Sequence, residues 1–404
     1  MSTNNKTKPS IVIIGGIEQG KTAIRSSLWP NAVKVSEDND ERFSVADSVP
    51  GRGVLNYDII ELPPILYSLQ NEWLSNNYNL MEISKADVIL FVLPASSFGY
   101  KQEVSFIKRI VNSDYYNNQH VVICLNKSDL LLYDGNNMIG LESISKLLQV
   151  PSSLYGSLRN DLSWENFSAD SIIPISAVLQ WNYDALKEKL WEGVILKIND
   201  TTFNAKLPTI VIAGKRGCGK SSTLNALWGL DLPTNKAVAC TKYPQLLKVK
   251  CGDYEVNVVD LPGIAESLDA DMQYTAYYKK YIEKASLLIC LSQADTRAYK
   301  QDELFYHNLI NANIITKNTE IILGINQIDL LFKTKENPDG IDLHTTDDST
   351  DLIREKIDDY YDKVYSKIFK ELGIVTKKDV CVFSVWQKWN LNKLMNMILS
   401  KLTH

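Results

Sequence analysis

Two stretches of this chain have the spacing of a loop that wraps phosphate: Gly15-Gly-Ile-Glu-Gln-Gly20-Lys21-Thr22 and Gly214-Lys-Arg-Gly217-Cys218-Gly219-Lys220-Ser221. Glycines at these positions let successive backbone N–H groups close around phosphate oxygens at a helix N-terminus, and the amides of Ala23 and Ser222 continue that first turn. The lysine neutralises β/γ-phosphate charge, and the hydroxyl of Thr22 or Ser221 suits Mg²⁺. About forty residues past the second loop, Asp260-Leu-Pro-Gly263 supplies a carboxylate for the metal side and a backbone N–H for a γ-phosphate. The first copy reads Glu61-Leu-Pro-Pro64 at that place, and proline has no N–H to give. Further on, Asn126-Lys127-Ser-Asp129 and Asn326-Gln327-Ile-Asp329 each follow an apolar run. A carboxylate there accepts from the N1–H and N2 amine of guanine, a donor pair that adenine lacks, and leaving it unpaired against the wrong base is costly. Ser176-Ala177 and Ser384-Val385 stand beyond the last strand of each copy, where they would cover the base.

These features recur because the chain repeats itself. A shift of 199 residues brings Lys21-Thr22 onto Lys220-Ser221, Trp29 onto Trp228 and Tyr100-Lys-Gln-Glu103 onto Tyr299-Lys-Gln-Asp302. The reading is therefore two copies of one domain, 1–200 and 201–404, with a seam near the polar stretch ending at Pro208. Within each copy, short β-branched runs such as Ile11–Ile14, Val121–Leu125, Thr209–Ala213 and Ile321–Ile325 alternate with longer helical patterns. That alternation predicts an α/β fold, a mostly parallel sheet flanked by helices in each domain, with ligands beyond the carboxyl ends of the strands.

Composition narrows the classes. The chain has 404 residues and a formal net charge of −5, with a balance of about −6 up to residue 200 and about +1 thereafter, which argues against a general nucleic-acid coat. Six cysteines are scattered without metal-ligand spacing, which fits a reducing compartment. No uncharged apolar run reaches a bilayer-spanning length and the polar start lacks a secretory h-region, so a cytoplasmic protein without a membrane span is expected.

Taken in order, the motifs resemble the Ras-like P-loop GTPases of the translation-factor-related class, in the Era/EngA branch that includes the YfjP-like 50S-ribosome-binding GTPases. The second copy resembles the YfjP-like proteins over nearly its whole length, through its phosphate loop, Asn225-Ala-Leu227, Cys240-Thr241, Asp260-Leu-Pro-Gly-Ile264 and Asn326-Gln-Ile-Asp329. The resemblance implies two tandem Ras-like G domains, GTP or GDP as ligand, Mg²⁺ as cofactor, and Thr241 as the switch threonine that closes on the metal, with Thr234 as runner-up. The first copy has no threonine between Ala23 and Ile60. EngA-like proteins carry an RNA-binding domain after the second G domain, whereas this chain ends at the helix from Leu391, which disfavours the ribosome as partner. The loops lack the asparagine that potassium-using relatives carry, so potassium activation is not expected.

The catalytic set expected at the second site is Lys220, Thr241, Asp260 and Gly263. Ile264 takes the place of the water-orienting glutamine of Ras-type enzymes, which implies slow turnover unless a partner or self-association through the G domains supplies that group. Arg216 reads either as a finger toward phosphate or as a solvated loop charge, and Arg297 has the same two readings. The insertions 133–170 and 333–378 read either as partner contacts or as amphipathic helices packed on their own domains. Two functions follow: a GTP-hydrolysing switch whose first domain is regulatory or a pseudo-GTPase, and a nucleotide-bound scaffold with negligible turnover.

Overall fold

The computed structural model describes residues 8–35, 41–49, 52–95, 101–129, 133–134, 137–138, 171–234, 242–263, 268–294, 299–316, 318–332, 342–345, 351–362, 369, 373 and 375–402. Two compact units emerge, Met1–Val49 with Gly53–Ile198, and Pro50–Arg52 with Asn199–His404.

In the first unit the elements run β1 (Ser10–Gly15), α1 (Lys21–Leu28), β2 (Val33–Lys34), β3 (Glu41–Val49), β4 (Gly53–Glu61), α2 (Gln70–Ser75), α3 (Asn77–Lys85), β5 (Val88–Pro94), α4 (Lys101–Val111), β6 (His120–Asn126), a short hairpin of β7 (Tyr133–Asp134) and β8 (Asn137–Met138), β9 (Ile172–Pro174) and α5 (Tyr183–Thr202). The main sheet has the order β2-β3-β4-β1-β5-β6-β9. β4, β1, β5, β6 and β9 run parallel, while β3 and β2 join antiparallel at one edge. The central strands are unbroken apolar runs because both faces are covered, and each buried Ile, Val or Leu adds about 1.5–3 kcal/mol. The antiparallel β3 is absent from the strands that the sequence suggests. Its alternation of Phe43, Val45 and Val49 with polar residues leaves one face wet, a weaker signal than a continuous run. Beneath it, Asp47 accepts from Trp29 Nε1 at 3.1 Å, from Trp191 Nε1 at 3.1 Å and from the Tyr57 hydroxyl, and pairs with Lys187 at 3.1 Å. Burial, with Asp47 beside it, pushes the Tyr57 phenol well above its ordinary range.

The second unit runs β10 (Thr209–Gly214), α6 (Lys220–Trp228), β11 (Gln245–Cys251), β12 (Tyr254–Asp260), α7 (Leu268–Ile282), β13 (Leu287–Gln293), α8 (Tyr299–Asn311), β14 (Glu320–Asn326), α9 (Asp351–Tyr360), β15 (Val380–Val382) and α10 (Leu391–Leu402). Its sheet order is β11-β12-β10-β13-β14-β15, parallel except for β11. Both sheets are thus mostly parallel and flanked by helices. The register repeats as well: Ile11 faces Ile59 and Val88, and Ile210, 199 residues on, faces Val258 and Leu287. Between the sheets in sequence, the polar stretch expected to form the seam begins as the last turns of α5 and reaches β10 just after Pro208. Among the described residues no helix is long and apolar enough to cross a membrane.

Candidate functional site

In the second unit the loop from β10 to α6 is shaped by what its glycines abut. A Cβ on Gly214 would lie 2.2 Å from the Leu291 carbonyl oxygen, and one on Gly219, at φ +90°, would lie 2.3 Å from Asn326 Nδ2. Only glycine fits both. Lys220 opens α6, is buried, and folds back so that Nζ donates to the Gly214 and Lys215 carbonyls at 3.0 and 3.1 Å. Ser221 Oγ donates to Asp260 Oδ2 at 2.6 Å, which brings the hydroxyl of the helix start onto the carboxylate at the end of β12. Ser222 follows in the same turn. Gly263 lies so near the loop that a Cβ would be 2.9 Å from Arg216 Cα, and the preceding Pro262 carbonyl accepts from the buried Tyr278 hydroxyl at 2.5 Å. Thr241, Ile264 and Arg297 lie outside the described residues, as does most of both insertions.

The end of β14 is joined to the same loop. Asn326 Nδ2 donates to the Cys218 carbonyl at 3.0 Å, while its Oδ1 accepts from the amides of Val385 at 3.2 Å and Gln327 at 2.8 Å. Gln327 adopts φ +63° and its Nε2 donates to the Gly217 carbonyl at 2.9 Å. Asp329 is buried, and its Oδ1 accepts from Ser384 Oγ at 2.6 Å. Phosphate loop, Asn326, Gln327, Asp329 and Ser384 therefore meet at the carboxyl edge of one sheet.

The first unit repeats this scaffold. Lys21 Nζ donates to the Gly15 carbonyl at 3.0 Å and Gly16 at 3.4 Å; burial is the main influence on its ammonium and pulls its pKa down, with Glu61 opposing. Asn126 Nδ2 donates to the Gln19 carbonyl at 2.9 Å and Oδ1 accepts from Ala177 N–H at 3.1 Å. Gly20 has φ +89° and Lys127 φ +63°. Differences begin at the base end: both serines accept from an amide three residues on, Ser176 Oγ from Leu179 at 3.1 Å and Ser384 Oγ from Gln387 at 3.2 Å, but only Ser384 also donates to its aspartate, and the buried Asp129 Oδ1 has no hydrogen-bond partner among the described residues. Glu18, whose carboxylate stands in the loop by sequence, is exposed.

Larger differences surround Glu61. Thr22 Oγ1 donates to one of its oxygens at 2.5 Å and Arg25 Nε to the other at 3.0 Å, both side chains of this ion pair being largely buried. The Arg25 guanidinium also stacks 3.8 Å over the Phe43 ring. The chain after Glu61 is fastened to the loop by the Ile65 N–H, which donates to the Gly15 carbonyl at 3.1 Å, and by a hydrogen bond between the Tyr67 and Gln19 side chains; Trp73 Nε1 donates within the segment to the Pro63 carbonyl at 3.0 Å, and Gly16 N–H within the loop to Gln19 Oε1. Ile65 and Leu62 are core residues, and Tyr67 and Trp73 both meet Phe106 edge-on. Arg25, Gln19, Tyr67 and Trp73 in these roles escape sequence reasoning. The available signal is the substitution of Arg25 for Leu224 at matched positions.

The residues test differently against a bound Mg²⁺. In the second unit a hydroxyl and a carboxylate converge at 2.6 Å beside the helix start, an oxygen donor set that suits the ion. In the first, the same kind of pair stands at 2.5 Å, but a guanidinium already neutralises the carboxylate, so Glu61 does not suit a divalent ion as placed.

Residues 209–327 match the model of the 50S ribosome-binding GTPase family. Two curated relatives come from Escherichia coli (strain K12): the uncharacterized protein YkfA is 41% identical over 120 residues, and YfjP is 38% identical over 124. Each match covers 30% of this chain and 41% or 42% of the relative, so the chain spans about two fifths of the length of the curated relatives it matches. A solved structure of an Aquifex aeolicus Era variant bound to GDP·AlF4− is 21% identical with a TM-score of 0.37, covering 48% of this chain and 56% of that one. The second half of the chain carries a P-loop GTPase domain related to YkfA and YfjP.

Proposed function

We propose that the domain 201–404 hydrolyses GTP to GDP and phosphate as a molecular switch, and that the domain 1–200 is a non-switching nucleotide holder in the same chain. The observation that carries this reading is the meeting of Lys220, Ser221, Asp260 and Gly263 with Asn326, Asp329 and Ser384 at one sheet edge. Backbone amides from Gly217 to Ser222 would hold the phosphates, Lys220 would neutralise the charge that develops on the transferred group, and Asp329, fixed by Ser384, would accept from guanine. Mg²⁺, when bound, would offset the negative charge of the phosphate oxygens. Ser221 would hold it, with Asp260 bonded to Ser221, and Thr241 would be the switch threonine. The Gly263 amide would sense the γ-phosphate, and its closeness to Arg216 would couple the loop to the segment that follows.

Ile264 at the position of the water-orienting glutamine supports slow intrinsic turnover, raised by a protein effector or by self-association through the G domains. A second reading, a nucleotide-bound scaffold with negligible turnover, draws on the same residue and on the pinned segment of the first domain. Phosphate release from GTP separates the two: turnover that needs Mg²⁺ and disappears in Lys220→Ala supports the switch, and no release at any protein concentration supports the scaffold. The acidic net charge disfavours the ribosome as partner, and salt-sensitive co-sedimentation with ribosomes would reverse that view.

A further inference from the structure

We infer that the first site binds guanine nucleotide without a divalent metal, with the guanidinium of Arg25 on Glu61 supplying the positive charge that Mg²⁺ would supply at the second. This rests on the reading that the first loop holds a nucleotide. The two sites share their backbone frame, including the lysine folded onto the loop carbonyls and the asparagine tying the loop to the sheet. They differ in what faces the carboxylate after the second parallel strand. At the second site position 224 is a buried leucine, so α6 presents no charge to Asp260 from there. At the first site the matched Arg25 lies on Glu61 at 3.0 Å, and Thr22 Oγ1, the hydroxyl matched to Ser221, lies on the other oxygen of the same carboxylate at 2.5 Å. The guanidinium thus stands one carboxylate's width from the hydroxyl that would ligate a metal.

Three features hold that arrangement. Glutamate reaches one methylene further than aspartate, which lets Glu61 take both donors. The Phe43 ring fixes the guanidinium plane from one face at 3.8 Å. A cation drawn to Glu61 would have to compete with the largely buried, charge-assisted hydrogen bond from Arg25 and would meet the positive charge of that guanidinium. A guanidinium is permanently charged and presents five N–H donors, of which Nε–H is given to Glu61, so positive charge toward a diphosphate is built into the fold. With Pro64 in place of the γ-phosphate-sensing amide and Ile65 bonded to Gly15, the first site then has neither the metal nor the moving segment through which a GTPase cycle is read.

The test uses the full chain loaded with radiolabelled GDP in Mg²⁺ and then diluted into excess unlabelled GDP, with Mg²⁺ or with EDTA. The expected result is two phases. One equivalent leaves at least ten-fold faster in EDTA, and the other changes less than two-fold. Lys21→Ala removes the EDTA-insensitive phase, Lys220→Ala removes the sensitive one, and Arg25→Leu makes both sensitive. Two EDTA-sensitive equivalents, a single sensitive equivalent, or an insensitive phase that survives Lys21→Ala would each overturn the inference. Because the unaltered chain decides the matter, an Arg25→Leu chain that misfolds leaves the test standing. Loss of binding confined to the first site overturns this inference alone, whereas a chain that holds no nucleotide even in Mg²⁺ also removes the proposed function.

Discussion

Asp260 and Glu61 end equivalent strands 199 residues apart, yet one faces a serine from beneath a leucine-lined helix and the other is held by an arginine. The segments that follow diverge in step. After Asp260 comes Gly263, against the loop at Arg216; after Glu61 come Pro64 and an Ile65 amide bonded to Gly15. The difference teaches that the frame holding a phosphate loop and the parts that would make it a switch are separable. Lys21, Gly20 and Asn126 keep the frame in the first copy, while the segment after Glu61 is held in the core through Ile65. A segment with core contacts on one side and a backbone bond on the other has little freedom left to register a ligand.

The sharpest way to break this comparison is at the lysines. Lys220→Ala is expected to lower phosphate release from GTP by about 10³-fold, and Lys21→Ala to change it by less than about two-fold, as read by a phosphate-release assay. Removing the carboxylates comes next. Glu61→Ala strands Arg25 beside an apolar wall and is expected to cost the first unit about 3 kcal/mol in urea unfolding, with Asp260→Ala costing clearly less. Acid separates the units more gently. Burial pushes the His120 imidazole pKa down against the pull of Glu192, and its Nε2 is buried without a hydrogen-bond partner among the described residues. The folded state therefore resists protonation, so stability of the first unit is full above the unfolded value near 6.5 and is lost as pH falls below it, at up to about 1.4 kcal/mol per pH unit. In the second unit the Asp379 carboxyl, despite burial, is held below its usual value by Lys401 and Thr376. Its contribution is present above about pH 4 and lost only below. Denaturant melts from pH 7 to about pH 3 check both, and His120→Gln should flatten the first. The smallest effect is expected at the base end: Ser384→Ala weakens GTP binding at the second site about five-fold by freeing Asp329, while Ser176→Ala, whose hydroxyl serves Leu179, leaves the first site unchanged.

Most of the frame was legible because its signals are local and repeated. The phosphate loops, the Asn-x-x-Asp runs and the apolar central strands each follow from residue type and spacing, and the repeat at 199 reappears in the pairing of Ile11 and Ile210 with their neighbours. β3 was not legible, since half of its face is polar and Asp47 is part of a buried network that only tertiary structure assembles. The Arg25–Glu61 pair was illegible for a related reason: its partners are 36 residues apart, and although Glu61 stands in a motif position, Arg25 belongs to none. Pro64 did signal the missing amide, yet the anchoring of Ile65, Tyr67 and Trp73 depends on contacts with Gly15, Gln19 and Phe106 that no local pattern encodes.

The central claim, one working site and one holding site in a single chain, is tested most directly by loading the full chain with GTP in Mg²⁺, removing excess, incubating, and identifying the bound nucleotides by chromatography after denaturation. The expected result is one GDP and one GTP per chain, with the GDP absent in Lys220→Ala. Conversion of both nucleotides, of neither, or of one that persists in Lys220→Ala would contradict it.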